Sequence, residues 1–357
     1  MIDTSDALTA FAHQATRAPA LALDTEFMRE KTYRAELCLV QIADGDNAVC
    51  IDPLALPDLS SLAPLLGAAG VVKIMHAARQ DLEVLLPAVG MVQPVFDTQI
   101  AAALAGHPSQ VGYAELVRRL LGVDLAKAHT RADWSRRPLS AEEQEYALDD
   151  VRHLAALRAS LLDTLAGQGR VAWLEDELAA LANPDALRVA PEEAWKKVKG
   201  LPSLDPARQQ LVQALAGWRE RRADERNRPR GWILDDLSLR EIALRLPRSP
   251  EALAALPEIQ ESVARKCGDE LLALVRDAGI SDPPPPLPRR ERPDPAQVAL
   301  VKRLADIAAE VAKGLEINSE VLATRRELEK LAAGKRDISL LRGWRKEIVG
   351  EKLLAAL

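Results

Sequence analysis

Asp24 and Glu26 stand two residues apart at the end of a short apolar run, Ala20–Leu23. The two-residue period of a strand puts both side chains on one face. Paired carboxylates repel one another unless protons or cations come between them. Asp81 follows a second apolar run, Val71–Met75, and lies early in a helical pattern, His76-Ala-Ala-Arg-Gln-Asp81-Leu-Glu. A carboxylate there also complements the helix dipole, so Asp81 alone specifies no chemistry. Tyr146 and Asp150 are four apart on a third pattern and share a helix face. Asp149, three residues from Tyr146, competes with Asp150 for that place, and spacing does not separate the two.

The elements that must carry these groups alternate in type. Ala20–Leu23, Leu37–Ala43 and Ala48–Ile51 read as strands, the last two joined by the turn signal Asp44-Gly45-Asp46-Asn47. Val71–Met75 reads as a fourth strand, followed by a helical pattern through Leu86. Strands interleaved with helices predict an α/β layer fold. From Ser140 onward the pattern is almost wholly helical and opens on the capping-box spacing of Ser140 and Glu143. A Pro- and Gly-bearing linker covers Asn183–Ser203, with a short helix around Trp195. A helical block runs from Leu204 to about Ile280, then a stiff polyproline spacer through Pro283–Pro288, then a last helical block from Pro295 to Leu357. The predicted layout is one α/β domain over residues 1–190 and two small helical domains over 204–282 and 293–357.

Composition narrows the classes. With aromatics at 3%, the cores must be built mainly from Leu, Ala and Val. A net charge of -6 and a pI near 5.6 give no whole-chain signature of nucleic-acid binding, which leaves that role to local basic patches. Carboxylates that hold cations also add formal negative charge that the ions cancel. Cys38, Cys50 and Cys267 form no C-x-x-C pair, which argues against a zinc site or a disulfide framework. Buried free thiols suit a reducing cytoplasm. The N-terminal residues lack the basic and apolar regions of a secretory signal, and no stretch has the length and apolarity of a membrane span. A cytoplasmic protein without a membrane partner is expected.

Longer strings carry a resemblance. Asp-x-Glu closing a strand, a lone Asp some fifty residues later and Tyr-x-x-x-Asp after a similar gap form the pattern of the DEDD exonuclease superfamily, in its tyrosine-bearing subgroup. DTEFMREKTYRAELCLVQIAD, HAARQDLEVLL, FDTQIAAAL and HTRADWSRRPLSAEEQEYALDDV, in that order, resemble the ribonuclease D family. The likeness extends over nearly the full chain and is strongest from Leu21 to Leu154.

The resemblance implies an α/β ribonuclease H-like catalytic domain followed by two all-α helical domains of HRDC type. It implies a 3′→5′ exoribonuclease that removes 3′-terminal nucleotides from tRNA precursors and releases nucleoside 5′-monophosphates. It implies two divalent ions, Mg²⁺ or Mn²⁺, about 4 Å apart. Asp24 would be shared by both ions, with Glu26 and Asp150 on the first and Asp81 on the second. The family register selects Asp150 over Asp149, and Tyr146 would orient the attacking water. Thr25, Phe27 and Met28 would meet the terminal nucleotide, while His76 is expected to be structural. Arg29, Lys31 and Arg34 read equally as phosphate contacts or as a solvated loop.

In the first helical block, Arg219, Arg221, Arg222, Arg226, Arg228 and Arg230 crowd around a Pro-Arg-Gly-Trp loop ending at Trp232. Clustered Arg beside a Trp suits phosphate contact and base stacking, and equally a solvated helix with a core Trp. Arg226, Arg228, Arg230 and Trp232 are the candidate RNA contacts there. Arg325, Arg326, Arg342 and Arg345 are those of the last block. The resemblance also implies a monomer. A DNA proofreading or repair exonuclease and a non-catalytic nucleic-acid-binding protein are the alternatives.

Overall fold

The strand that begins at Ala20 does not stop where its apolar run ends at Leu23. In the computed structural model, which describes residues 1–45, 47–125, 132–181, 183, 187, 190–199, 201, 204–279 and 294–357, strand β1 spans Ala20–Met28. Leu21 and Leu23 enter one buried apolar cluster and Ala22 enters another, so β1 is covered on both faces. β2 (Glu36–Asp44) and β3 (Asn47–Ile51) pair antiparallel, as the turn signal between them requires. β4 (Val72–Met75) runs parallel to β1 with Ala20 opposite Val72 and Ala22 opposite Ile74. β5 (Val95–Asp97) runs parallel to β4. The five strands lie in the order β3-β2-β1-β4-β5. Three residues are too few to show a period, so β5 has no counterpart among the predicted strands.

Helices cover both faces of this mixed sheet. α1 (Ser5–Ala15), α2 (Ala63–Leu66) and α3 (Arg79–Val89) supply Leu8, Leu65, Leu82 and Leu85 to the cluster that holds Leu21 and Leu23. α4 (Thr98–Ala105), α5 (Tyr113–Leu121), α6 (Ala141–Arg152), α7 (Leu154–Gly167) and α8 (Val171–Leu181) contribute Ala101, Leu116, Val151, Leu157 and Leu174 to the cluster that holds Ala22. The predicted capping box at the start of α6 forms, with Ser140 and Glu143 each bonded to the other's backbone N–H.

The chain divides into two units. One comprises Met1–Met28, Leu37–Leu187 and Pro293–Leu357, and the other Arg29–Glu36 and Arg188–Arg292. The second unit holds a 3-10 segment, Pro191–Lys197, at the helix expected around Trp195. It continues through α9 (Pro206–Glu225), α10 (Arg230–Ile233), α11 (Asp236–Arg245), α12 (Pro250–Ala254) and α13 (Glu261–Asp277). Asp205, Asp235 and Ser249 cap three of these helices by accepting backbone N–H bonds. Leu211, Leu215, Ile242 and Leu271 form the core, and Tyr33 packs on it and donates to Glu220 at 2.7 Å.

The last block, α14 (Pro295–Gly314), α15 (Ser319–Leu322), α16 (Arg325–Ala332), α17 (Gly343–Arg345) and α18 (Glu351–Ala355), is helical as read from the sequence. It is built onto the α/β core. Leu304, Ala308 and Leu340 cluster with Ala101, Leu157 and Leu174. Trp344 stacks on Trp173 with centroids 4.5 Å apart and planes at 8°. Arg345 pairs with Glu177, and Arg170 donates to the carbonyls of Leu104 and Leu315 at 2.7 and 2.6 Å. The Pro283–Pro288 spacer, Asp46, and His129, Thr130 and Arg131 of the HTRADW string lie outside the described residues. Among the described residues no helix is long and apolar enough to cross a membrane.

Candidate active site

The β1–β4 register sets where the acids meet. With Ala22 opposite Ile74, Leu23 falls level with Met75, the last residue of β4, and Asp24 lies just past that strand end. Asp97 ends β5 opposite Met75. The acids therefore gather at the carboxyl edge of the parallel strands, where open α/β sheets leave a crevice. Alternation along β1 divides its side chains between the two helical layers. Thr25 follows the Leu23 side toward α3, where its buried hydroxyl donates to Asp81 Oδ1 at 2.5 Å. Asp24 and Glu26 share the other side with α6 and its Asp150.

The charges on this cluster are coupled. Burial, then the charges of Asp81, Asp150 and Glu26, hold the Asp24 carboxyl well above its ordinary range. Burial with Asp150 and Asp81 pushes Glu26 to about 8. Burial with Asp149 and Asp81 pushes Asp150 to about 7. Burial raises Asp81 to about 6 against the lowering effect of the Thr25 bond. None of these four makes a salt bridge among the described residues. Clustered, half-buried to buried carboxylates without a protein cation fit hard divalent ions, for which carboxylate oxygens are the natural donors. Among the described residues no three His, Cys, Asp or Glu side chains stand close enough together to hold a metal ion as they are placed, so the fit rests on the raised carboxylates and on the donor chemistry.

Asp149 and Asp150 separate cleanly. Asp149 Oδ1 takes the Arg152 guanidinium at 2.6 Å, while Asp150 is the one coupled to Asp81 and Asp24. Tyr146 stands on the same side. Burial, then the charges of Asp150, Glu26 and Asp24, raise its phenol to about 12. Its ring stacks on Trp134 with centroids 6.3 Å apart and planes at 26°. Arg137 secures the Trp134 segment with Nε and Nη2 on the two Asp52 oxygens at 2.6 and 2.7 Å, and with bonds to the carbonyls of Cys38 and Trp134.

Asp97 is a further support that reading by residue type passed over, although it lies in the string FDTQIAAAL. Its carboxylate accepts four backbone N–H bonds, from Ala77, Ala78, Gln99 and Ile100, at 2.8–3.2 Å. It thereby ties the turn leading into α3, where Ala77 has φ 55°, to the start of α4. An Asp right after a strand run and before a helical one is the N-cap signal that marks it in the sequence. His76 is structural, as expected, with its ring nitrogens at Thr98 Oγ1 and the Val111 carbonyl. Of the nucleotide candidates, Phe27 and Met28 are half-buried, Met28 packs beside Trp134 and Cys38, and the Thr25 hydroxyl is taken by Asp81.

In the second unit the arginines divide into two groups. Arg219 is 2% exposed and bonds the Leu234 carbonyl and Asp236, and Arg222 pairs with Glu270. Arg221 is exposed beside Glu192. Arg226, Arg228 and Arg230 are exposed, and so is Trp232, at 56%, with the Arg228 guanidinium 5.9 Å from its ring centroid. In the last block Arg325, Arg342 and Arg345 pair with Glu329, Asp337 and Glu177, and Arg326 is exposed.

Comparison with known proteins defines the class. Residues 1–166 match the 3'-5' exonuclease family model and residues 208–275 match the HRDC domain model, so the chain joins a 3′→5′ exonuclease domain to an HRDC module. Ribonuclease D of Gluconacetobacter diazotrophicus is 40% identical over 99% of this chain and 92% of that protein. Ribonuclease D of Granulibacter bethesdensis is 39% identical over 99% and 91%. The crystal structure of Escherichia coli RNase D, described as an exoribonuclease involved in structured RNA processing, superposes with a TM-score of 0.89 at 34% identity, covering 100% of this chain and 98% of that one. The catalytic core of Trypanosoma brucei RRP6 follows with a TM-score of 0.60 at 25% identity, covering 78% of each chain. The chain belongs to the ribonuclease D family and is a 3′→5′ exoribonuclease.

Proposed function

We propose that this exoribonuclease trims 3′ extensions from tRNA precursors, one nucleoside 5′-monophosphate per cycle, with two divalent cations held by Asp24, Glu26, Asp81 and Asp150. The observation that carries the reading is a cluster of four carboxylates, Asp81 buried and Asp24, Glu26 and Asp150 half-buried, all held above their ordinary range and with no protein counter-charge among the described residues. Exonucleases of this class depend on divalent metal ions. Asp24 would be shared by both ions, Glu26 and Asp150 would complete one site, and Asp81 would serve the other with the oxygen that Thr25 leaves free. When bound, the cations supply the positive charge that makes water nucleophilic at neutral pH and offsets charge on the phosphate and the leaving 3′ oxygen.

The chain's own groups do the rest. Tyr146, kept protonated by its raised pKa, orients the attacking water and does not act as a base. Trp134 holds that phenol in place by stacking. Phe27, Met28 and the Thr25 backbone receive the terminal nucleotide. Arg226, Arg228 and Arg230 take phosphates of the RNA body, and Trp232 offers a face for stacking. None of the three cysteines is in a disulfide and all are buried, which suits a reducing cytoplasm.

The test is end-group analysis on tRNA carrying extra 3′ nucleotides, with Mg²⁺ supplied. The wild type shortens the extension stepwise and stops near the mature end. Asp24→Asn loses turnover while keeping its thermal midpoint. If the variant shortens RNA at the wild-type rate, the carboxylate assignment fails. If the wild type degrades unstructured RNA but leaves the extended tRNA untouched, the substrate assignment fails.

A further inference from the structure

We infer that Tyr113 is a positioning residue for Asp150, acting through a hydroxyl inserted into the helix that bears it. Tyr113 opens α5. Its hydroxyl donates to the Asp149 carbonyl at 2.8 Å and accepts from the His153 N–H at 3.3 Å. Those two backbone groups are four residues apart and are the pair that an unbroken α-helix joins directly. Tyr113 therefore splits one rung of the ladder, and Asp150 is the residue just inside the split.

The chain breaks its helix at this rung. α6 ends at Arg152, α7 starts at Leu154, and His153 serves as the cap of both with φ -101° and ψ -4°. Neither Pro nor Gly occurs from Ala141 to Ala166 to account for the break. A side chain inserted between i and i+4 groups is a sufficient cause. The alternative, one continuous helix from Ala141 to Gly167, would rotate and shift the turn that carries Asp150 relative to β1. The Tyr113 ring is itself braced. It meets the His76 ring edge-on at 5.7 Å and 61°, and His76 is bonded to Thr98 Oγ1 and the Val111 carbonyl. Thr98 in turn donates to the Met75 carbonyl at the end of β4. One chain of contacts thus ties the Asp150 turn to the end of β4, just past which Asp24 lies on the neighbouring β1.

This inference rests on the reading of Asp150 as a metal ligand, and the experiment keeps the two apart. Full-length Tyr113→Phe retains the ring and removes the inserted hydroxyl. On a short single-stranded RNA its kcat should fall about 10–100-fold with KM unchanged, and the Mg²⁺ concentration for half-maximal rate should rise by a similar factor, as for other groups that orient a metal ligand. Without metal or RNA, hydrogen exchange at the His153 amide should change, because its acceptor changes. Val117→Ala, a buried position on the same helix, serves as a control matched for lost stability and should leave the Mg²⁺ midpoint in place. A wild-type kcat and Mg²⁺ midpoint in Tyr113→Phe would overturn the inference. So would an equal midpoint shift in Val117→Ala, which would make the effect one of stability. Full activity in Asp150→Asn would sink the ligand reading itself, and this inference with it.

Discussion

Binding of divalent cations to this enzyme should expel protons, and the structure sets how many. At pH 7 a carboxyl at about 8 is about nine-tenths protonated, and one at about 7 is about half protonated. Glu26 and Asp150 are these two groups, and Asp24 is raised as well. Cation binding requires all of them ionised. Roughly 1.5 protons should therefore leave Glu26 and Asp150 together per enzyme at pH 7. By linkage, that number is the slope of log affinity against pH, so apparent Mg²⁺ affinity should strengthen by at least about 30-fold per pH unit near pH 7. Titration calorimetry in buffers of different ionisation enthalpy reads the proton count directly, with Mg²⁺ added to the RNA-free enzyme.

The metal-free protein shows the opposite sign of linkage. Between the ordinary carboxylate range and about 8, the folded state holds more protons on these groups than the unfolded state does. Raising pH through that window should lower the thermal midpoint, and the loss should level off above about 8. Saturating Mg²⁺ should cancel the decline. Mg²⁺ binding that releases no protons and keeps one affinity from pH 6 to 8 would refute the coupled-carboxylate argument.

Two further outcomes follow from particular residues. Asp150→Asn should cut kcat by orders of magnitude, whereas Asp149→Asn should cost at most the about 0–1 kcal/mol of an exposed ion pair with Arg152 and leave kcat within a few fold, as measured by steady-state turnover and thermal melts. Arg226, Arg228 and Arg230 changed together to Ala should weaken tRNA binding and flatten its salt dependence by just under about one logarithmic unit of slope per lost phosphate contact, while trinucleotide hydrolysis is unchanged; an unaltered salt slope would mean that these side chains are only solvated.

The candidate catalytic set is legible in the sequence because its signal is local in kind. Asp24 and Glu26 obey the strand period, Tyr146 and Asp150 obey the helix period, and Ser140 with Glu143 announces the helix start. The same local rules left β1 too short, since Asp24, Thr25 and Glu26 look like a polar strand end. They extend the strand because it is central and covered on both sides. β5, three residues long, carries no periodic signal at all.

Sequence by itself settled the family, the order of the acids and the helical character of the blocks after Ser140, because these depend on residue type and spacing along the chain. Only tertiary structure decided which groups each polar side chain spends itself on. Spacing could not tell Asp149 from Asp150; a guanidinium three residues on takes one, and the acid cluster claims the other. Six clustered arginines look alike in sequence, yet Arg219 is sealed in the core while Arg226, Arg228 and Arg230 face water. Thr25, Asp97, Trp134 and Tyr113 support the site through partners on other segments of the chain, 12 to 56 residues away, pairings that no periodicity encodes. The last helical block reads as a domain of its own for the same reason: its amphipathic pattern shows that one face must be buried, and the fold alone chooses Trp173, Leu157 and Leu174 as what buries it.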